Sequence, residues 1–347
     1  MLWRNVQVKK GETMSLLKFT DYGIYCEKGD FFIDPLKPVK KALITHGHSD
    51  HARPNSKYYL AHHDSIPVLK LRLGSHIKVQ GISYAEVKQI NNVKVSFHPA
   101  GHILGSSQIK VTDGKETWVI SGDYKLEDDG ISTPFEPVKC THFITESTFG
   151  LPVYNWENQE VIFNKINHWW QKNQQEGKTS VLFAYALGKA QRLIKGLDKS
   201  LGEVFLHGAV WNVVESDKKN YKFDINIHPI TKDTPPAKFK QQIIVAPPSA
   251  FGSPWMRKFN PYTTGIASGW MAIRGMKRRR AVDTGFVMSD HADWKGLLKA
   301  VKESEAENIF VTHGYTDIFS KYLQEQGYNS QVVATHSIRT DTDQDDL

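Results

Sequence analysis

Three histidines and an aspartate fall within six residues, His46-Gly47-His48-Ser49-Asp50-His51, directly after the apolar run Ala42-Leu43-Ile44. The run reads as a buried strand, so the chain passes from core to loop here and presents these side chains at a sheet edge. Histidines two apart in an extended loop can turn both imidazoles onto one metal. The Asp-His pair that follows adds a carboxylate oxygen and a third imidazole, which suits a second metal nearby. Zinc accepts nitrogen and carboxylate ligands and keeps one position open for water in catalytic sites. A polar surface loop rich in histidine by chance is the alternative, and the position straight after a strand argues against it.

The same arrangement recurs along the chain. Leu16 to Phe19, Ile24-Tyr25-Cys26 and Phe31-Phe32-Ile33 read as short strands, the last ending in Asp34 before Pro35. Asp34 is either a turn former or a brace for the histidine loop. Val93, Val95 and Phe97 alternate with polar residues and lead to His102. Gln108 to Thr112 and Glu116 to Ile120 flank Asp113-Gly114, a hairpin signal, and lead to Asp123. Phe143-Ile144-Thr145 leads into Glu146, Gly285-Phe286-Val287-Met288 toward His291, and Ile309-Phe310-Val311 toward His313. Strands that each finish in a ligating or hydrogen-bonding residue gather those residues at one edge. His62 and His63 lie outside the pattern and read as solvent-facing or packing residues.

At 347 residues the chain can bury a large core and is long enough for two domains. Lys and Arg number 44 against 37 acidic residues, a formal charge of +7 that favours an acidic partner, nucleic acid first. Cys26 and Cys140 are too few for a disulfide framework and suit a reducing cytoplasm. The first residues have no apolar signal-peptide core, and no apolar run approaches the roughly 18 residues of a membrane span. The expectation is a soluble cytoplasmic protein with no membrane partner.

Around residue 155 the texture changes. Val161, Ile162, Ile166, Trp169 and Trp170 mark a helix that Gly177 should stop, and Val181-Leu182-Phe183-Ala184 a buried strand. Strand–loop–helix alternation continues through Val204-Phe205-Leu206 and Ile243-Ile244-Val245, which predicts a small α/β unit with a parallel sheet. Lys189 and Arg192 sit at a helix start after Gly188, where they either meet a phosphate or lie on an ordinary solvated helix. Residues 247–280 are rich in Pro and Gly and interleave Trp255, Arg257, Trp270 and Arg274 before Lys277-Arg278-Arg279-Arg280. Aromatics among cations suit stacking on bases and pairing with phosphates. The last seven residues hold four Asp and read as a disordered tail.

In type and order, Asp34, the run His46–His51, His102 and Asp123 resemble the successive motifs of the metallo-β-lactamase superfamily. Glu146-Ser147-Thr148-Phe149-Gly150, His291 in Ser-Asp-His-Ala-Asp-Trp, and His313 resemble the further motifs of its β-CASP nuclease branch. Ala-Leu-Gly-Lys-Ala-Gln-Arg (residues 186–192), Pro-Pro-Ser-Ala-Phe-Gly-Ser-Pro-Trp (residues 247–255) and Ser-Gly-Trp-Met-Ala (residues 268–272) are most similar to the bacterial ligase-associated DNA exonucleases. The resemblance implies an αββα sandwich, residues 1–154 with 285–338, carrying an inserted α/β β-CASP domain, residues 155–284, and an acidic tail, residues 339–347. It implies a zinc-dependent nuclease, hydrolysing DNA from the 5′ end of single strands in DNA repair, with a DNA ligase or helicase as partner.

Position by position, the resemblance assigns His46, His48 and His102 to one zinc and Asp50, His51 and His313 to another, with Asp123 bridging. Manganese could replace zinc in such mixed sites. Asp34 becomes the brace of the ligand loop, His291 the general acid, and Glu146 the carboxylate that orients it, so that Asp50, Asp123, His291 and Glu146 form the catalytic set. A hydroxide generated between two metals would attack phosphorus. Lys189, Arg192, Ser253, Trp255, Arg257 and the run 277–280 become candidate nucleic-acid contacts. His313 is similar instead to RNA-processing members, so a ribonuclease with the same site is the alternative. An inactive nucleic-acid-binding subunit is a reading of another class, and the seven intact candidate ligands argue against it.

Overall fold

A computed structural model describes residues 15–273 and 282–333. Lys277, Arg278, Arg279, Arg280 and the acidic tail lie outside the described residues. Among the described residues the strands form three sheets of six, seven and six strands.

The first sheet grows in chain order from β1 (Leu17–Thr20), β2 (Gly23–Cys26) and β3 (Phe31–Ile33) to β4 (Lys41–Leu43), β5 (Tyr58–His62) and β6 (Val79–Ile82). The first three strands pair antiparallel through tight turns, and from β3 onward pairing is parallel. The second sheet contains β7 (Val87–Ile90), β8 (Val93–Pro99), β9 (Ser107–Thr112), β10 (Thr117–Ile120) and β11 (His142–Ser147). Two late strands, β18 (Asn308–Gly314) and β19 (Asn329–Val332), complete it beside β11. Asp113-Gly114 turns the β9–β10 hairpin, as its sequence predicts.

Alternation in these strands sends Leu17, Ile24, Phe31, Ile33 and Leu43 of the first sheet against Val95, Phe97, Val111, Trp118 and Ile144 of the second. Each such side chain is worth about 1.5–3 kcal/mol when fully buried, so this shared face is the main adhesive of the sandwich. Helix α1 (Ile66–Leu73) lays Leu69 and Leu73 on the outer face of the first sheet. On the outer face of the second lie α5 (Trp294–Ser304) and α6 (Thr316–Glu325), through Leu297, Val301, Phe319 and Leu323. The layers are helix, sheet, sheet, helix: the αββα sandwich implied by the sequence motifs.

Between β11 and β18 the chain builds the third sheet, with all its strands parallel. Its order is β14 (Ile227–Pro229), β13 (Val204–Leu206), β15 (Ile243–Ala246), β12 (Thr179–Phe183), β16 (Tyr262–Ala267) and β17 (Thr284–Phe286). Parallel strands covered on both faces read as unbroken apolar runs, which is why Val181-Leu182-Phe183 and Ile243-Ile244-Val245 do not alternate. Helices α2 (Gln159–Gln175), α3 (Lys189–Gly196) and α4 (Gly208–Ser216) cover one face. Phe239, Met256 and Phe259 cover the other.

Strand direction decides where chemistry collects. β10, β11 and β18 run parallel, and β8 shares their direction because β9 is antiparallel to both β8 and β10. Their carboxyl ends therefore open on one edge, which receives His102, Asp123, Glu146 and His313 together. No described helix is long and apolar enough to cross a membrane.

Candidate metal centre

Asp34 organises the histidine loop. Its Oδ1 accepts from the Thr45 N–H at 2.8 Å, and its Oδ2 accepts from the Thr45 hydroxyl at 2.5 Å and from His51 Nδ1 at 2.7 Å. With its own proton given to Asp34, the Thr45 hydroxyl accepts from His46 Nδ1 at 3.1 Å. Both rings are thereby fixed with Nε2 as the open lone pair. His48 is turned the other way: its Nε2 donates to the Leu187 carbonyl at 3.3 Å, which frees Nδ1. His102 donates from Nδ1 to the Asp290 carbonyl at 2.8 Å, which frees Nε2.

The freed nitrogens converge. His48 Nδ1 lies 3.1 Å from His46 Nε2 and 3.1 Å from His102 Nε2, and Asp123 Oδ2 lies 3.4 Å from His46 Nε2. Three imidazole lone pairs facing one another beside a carboxylate repel unless a cation lies among them. Burial pushes His46 down to about 4 and His102 well below the ordinary histidine value, keeping both rings neutral as metal ligation requires. A second group adjoins the first through Asp123. His51 Nε2 is 3.4 Å from Asp50 Oδ2 and 3.4 Å from Asp123 Oδ2, and the His313 ring stacks on His51 at 5.2 Å. His51 Nε2 is buried and has no hydrogen-bond partner. Within each group the candidate ligand atoms lie no more than 4.8 Å apart, so the donor set fits two metals.

His313 reaches the group through a bulge. Opposite it the β11–β18 register skips, Glu146 pairing with Thr312 and Ser147 with Gly314. The extra residue kinks the strand and re-aims its side chain, while Thr312 Oγ1 meets His313 Nδ1 at 2.7 Å and leaves Nε2 free. Gly122 is also dictated by geometry: its φ is +56°, and a Cβ there would lie 2.8 Å from Thr45. Any side chain at 122 would push the loop that hands Asp123 to the site.

Beside Asp123 stands a different pair. His291 Nδ1 donates to Glu146 Oε2 at 2.8 Å, and Glu146 Oε1 accepts from the Tyr124 N–H at 2.8 Å. Burial alone would lower His291, but the Glu146 and Asp123 carboxylates outweigh it and hold the ring up at about 9. The two carboxylates thus favour the protonated imidazole, with its other N–H directed away from Glu146. His291, Glu146 and Asp123 also bring ligand atoms within 4.8 Å, but the Glu146–His291 hydrogen bond engages His291 Nδ1 and Glu146 Oε2. Phe149, Trp156 and Trp270 form an aromatic wall next to His291.

Two candidate phosphate contacts are corrected by the structure. Lys189 and Arg192 are 4% and 2% exposed, paired with Asp290 and with Glu127 at 3.0 Å each, so neither faces a solvent-borne phosphate. The solvated-helix alternative fails for the same reason. Ser253 is spent on the Ala250 carbonyl at 2.8 Å, and Trp255 packs edge-on to His207 and Phe259; Arg257 is exposed. His62 is buried and stacks on Tyr84 at 3.6 Å, a packing role. Sequence reasoning missed Thr45, whose small polar side chain next to His46 was the signal. It also missed Arg72, which donates to the Gly47 carbonyl from α1, and the carbonyls of Leu187 and Asp290, which no residue type announces.

No protein-family model matches the chain. It is 26% identical over 319 residues, 91% of its length, to a probable DNA ligase of Opitutus terrae. It is 27% identical over 212 residues, 51% of its length, to an RNase, aCSPSF2, of Saccharolobus solfataricus. The chain is a β-CASP relative of the metallo-β-lactamase superfamily. It spans 31% of the ligase and 42% of the RNase. A solved structure of a protein of unknown function from Enterococcus faecalis V583 shares the fold, with a TM-score of 0.58, 13% identity and coverage of 85% of this chain and 79% of that one. The buried His/Asp cluster of this β-CASP relative is typical of the superfamily's metal site.

Proposed function

We propose that the chain is a metal-dependent phosphodiesterase that hydrolyses DNA, working from the 5′ end of single strands in DNA repair in the cytoplasm. One observation carries the reading: a carboxylate-held imidazole, His291, stands against Asp123, which belongs to the first group of candidate ligands and lies 3.4 Å from His51 of the second. A thioesterase or lactamase has no use for such an extra proton donor.

In this reading His46, His48, His102 and Asp123 hold one zinc, and Asp50, His51, His313 and Asp123 hold the other, with manganese able to serve in their place. Bound metals there would lower the pKa of water toward about 7 and offset charge on phosphoryl oxygens. The residues supply the rest. Asp34 keeps His51 in the ligating tautomer, Glu146 holds His291 by Nδ1, and His291 gives the proton on its other nitrogen to the departing sugar oxygen. Residues 155–284 serve as the inserted β-CASP domain, and Arg257 with the run 277–280 tracks the backbone phosphates. Likeness to a probable DNA ligase supports a ligase as partner, and a helicase is the second candidate.

Likeness to an RNase, over about half the chain, favours a second reading, a ribonuclease using the same residues. Matched DNA and RNA oligonucleotides, each labelled separately at its two ends, decide substrate and polarity with zinc or manganese added. Mononucleotide release from the 5′ end of DNA, with RNA spared, is the expected result. Cleavage of RNA alone would transfer the chain to the second reading, and cleavage of neither would end both.

A further inference from the structure

The segment 187–192, which the phosphate reading leaves without a task, faces the candidate metal centre. The Leu187 carbonyl accepts from His48 Nε2 at 3.3 Å. Lys189 Nζ lies 3.0 Å from Asp290 Oδ1, and Arg192 Nη1 donates to the Ser289 carbonyl at 2.6 Å. The next carbonyl, that of Asp290, takes the Nδ1 proton of His102 at 2.8 Å. Two of the three histidines in the first group thus take their orientation from this region. The approach is close: Gly188 has φ +87°, and a Cβ on it would lie 2.4 Å from Ile103 Cγ2 and 3.1 Å from Asp290 Oδ2.

The contacts are sealed from water. The Lys189 and Asp290 side chains are 5% and 4% exposed. Arg192 is held on its other side by Glu127 and by Gln159, both at 3.0 Å, and Glu127 also pairs with Lys125 at 3.0 Å. A charge withdrawn from water is costly unless its partner stays in place, so Lys189–Asp290 acts as a fixed strut where a surface pair would not.

We propose that Lys189 is a positioning residue for the metal centre. By anchoring Asp290 it sets the carbonyl that orients His102, and so couples the third-sheet unit to the ion held by His46, His48, His102 and Asp123. The proposal rests on the metal-centre reading above. Groups that orient a ligating histidine typically change metal affinity by about 10- to 100-fold when lost.

The test is zinc affinity, measured by chelator competition on the full chain with Lys189→Met, Asp290→Asn and the double variant. Circular dichroism and thermal melting report folding. Lys189→Met should weaken one of the two zinc sites by about 10- to 100-fold and leave the other within about threefold. The double variant should be no worse than the weaker single, because Lys189 acts through Asp290. Lys189→Met strands a buried carboxylate and can fail to fold, in which case the charge-neutral double variant decides. A folded double variant that binds both ions as tightly as the wild type overturns the proposal, as do strictly additive losses. A wild-type chain that binds no zinc overturns the metal-centre reading itself, a distinguishable failure.

Discussion

Replacing Asp34 by Asn preserves shape and reverses a proton. The carboxylate accepts three hydrogen bonds, from the Thr45 N–H, the Thr45 hydroxyl and His51 Nδ1. An amide has one oxygen, and the Thr45 N–H claims it. Its NH₂ then faces His51 Nδ1, donor against donor. The ring escapes by moving its proton to Nε2, the atom that lies among Asp50, Asp123 and His313 and has no other partner. Restoring the ligating tautomer forfeits a hydrogen bond to a charged group, about 1.5–3 kcal/mol. At 1.4 kcal/mol per decade that is roughly a 10- to 150-fold loss of affinity at the second zinc site. His46 reaches Asp34 only through Thr45 and should change less. Zinc titration against a chelator measures the loss, and imidazole ¹⁵N shifts report the tautomer. An Asp34→Asn protein that binds both ions normally, or keeps its proton on His51 Nδ1, would refute the argument.

Other substitutions give separable outcomes. His291→Ala should keep both metals and slow cleavage by about 10²- to 10⁴-fold, with the defect shrinking on a nitrophenyl leaving group that departs unaided; equal defects on both substrates would contradict the acid role. His313→Ala should lose one metal and fail on both substrates, which elemental analysis and the same two assays resolve. Gly122→Ala, at φ +56° and against Thr45, should destabilise by at least about 1–3 kcal/mol and weaken metal binding; an unchanged melting curve would show that the loop yields freely. Burial pushes the Cys26 thiol up to about 11 and the Cys140 thiol up to about 12. Both should resist a thiol reagent at pH 8 in the native protein and react once it is unfolded.

The candidate ligand set was readable because each of its members is announced locally, by a short apolar strand ending in His or Asp. Asp34 could not be resolved by sequence alone between turn former and brace, since the choice depends on Thr45 and His51, 11 and 17 residues away. Lys189 was misread for a related reason. A lysine at a helix start after glycine has the same local signature whether it meets a phosphate or an internal aspartate. Its partner Asp290 lies about a hundred residues onward and is brought in only by tertiary packing. Leu187 illustrates the hardest case, because its role belongs to a carbonyl that every residue possesses. Trp255 looked like a stacking surface, and the structure uses it as packing on the third sheet.

The bulge at His313 has a consequence for how the chain matures. The first candidate ligand group is complete in sequence by residue 123, early in synthesis, whereas the second waits for β18 to dock beside β11 and the bulge to form. The Asp290 carbonyl that steers His102 also arrives late, so even the early group lacks its final geometry on a nascent chain. In the two-metal reading full loading would therefore follow release of the C-terminal strands, and a chain interrupted before residue 308 would keep Asp50, His51 and Asp123 together but lack His313.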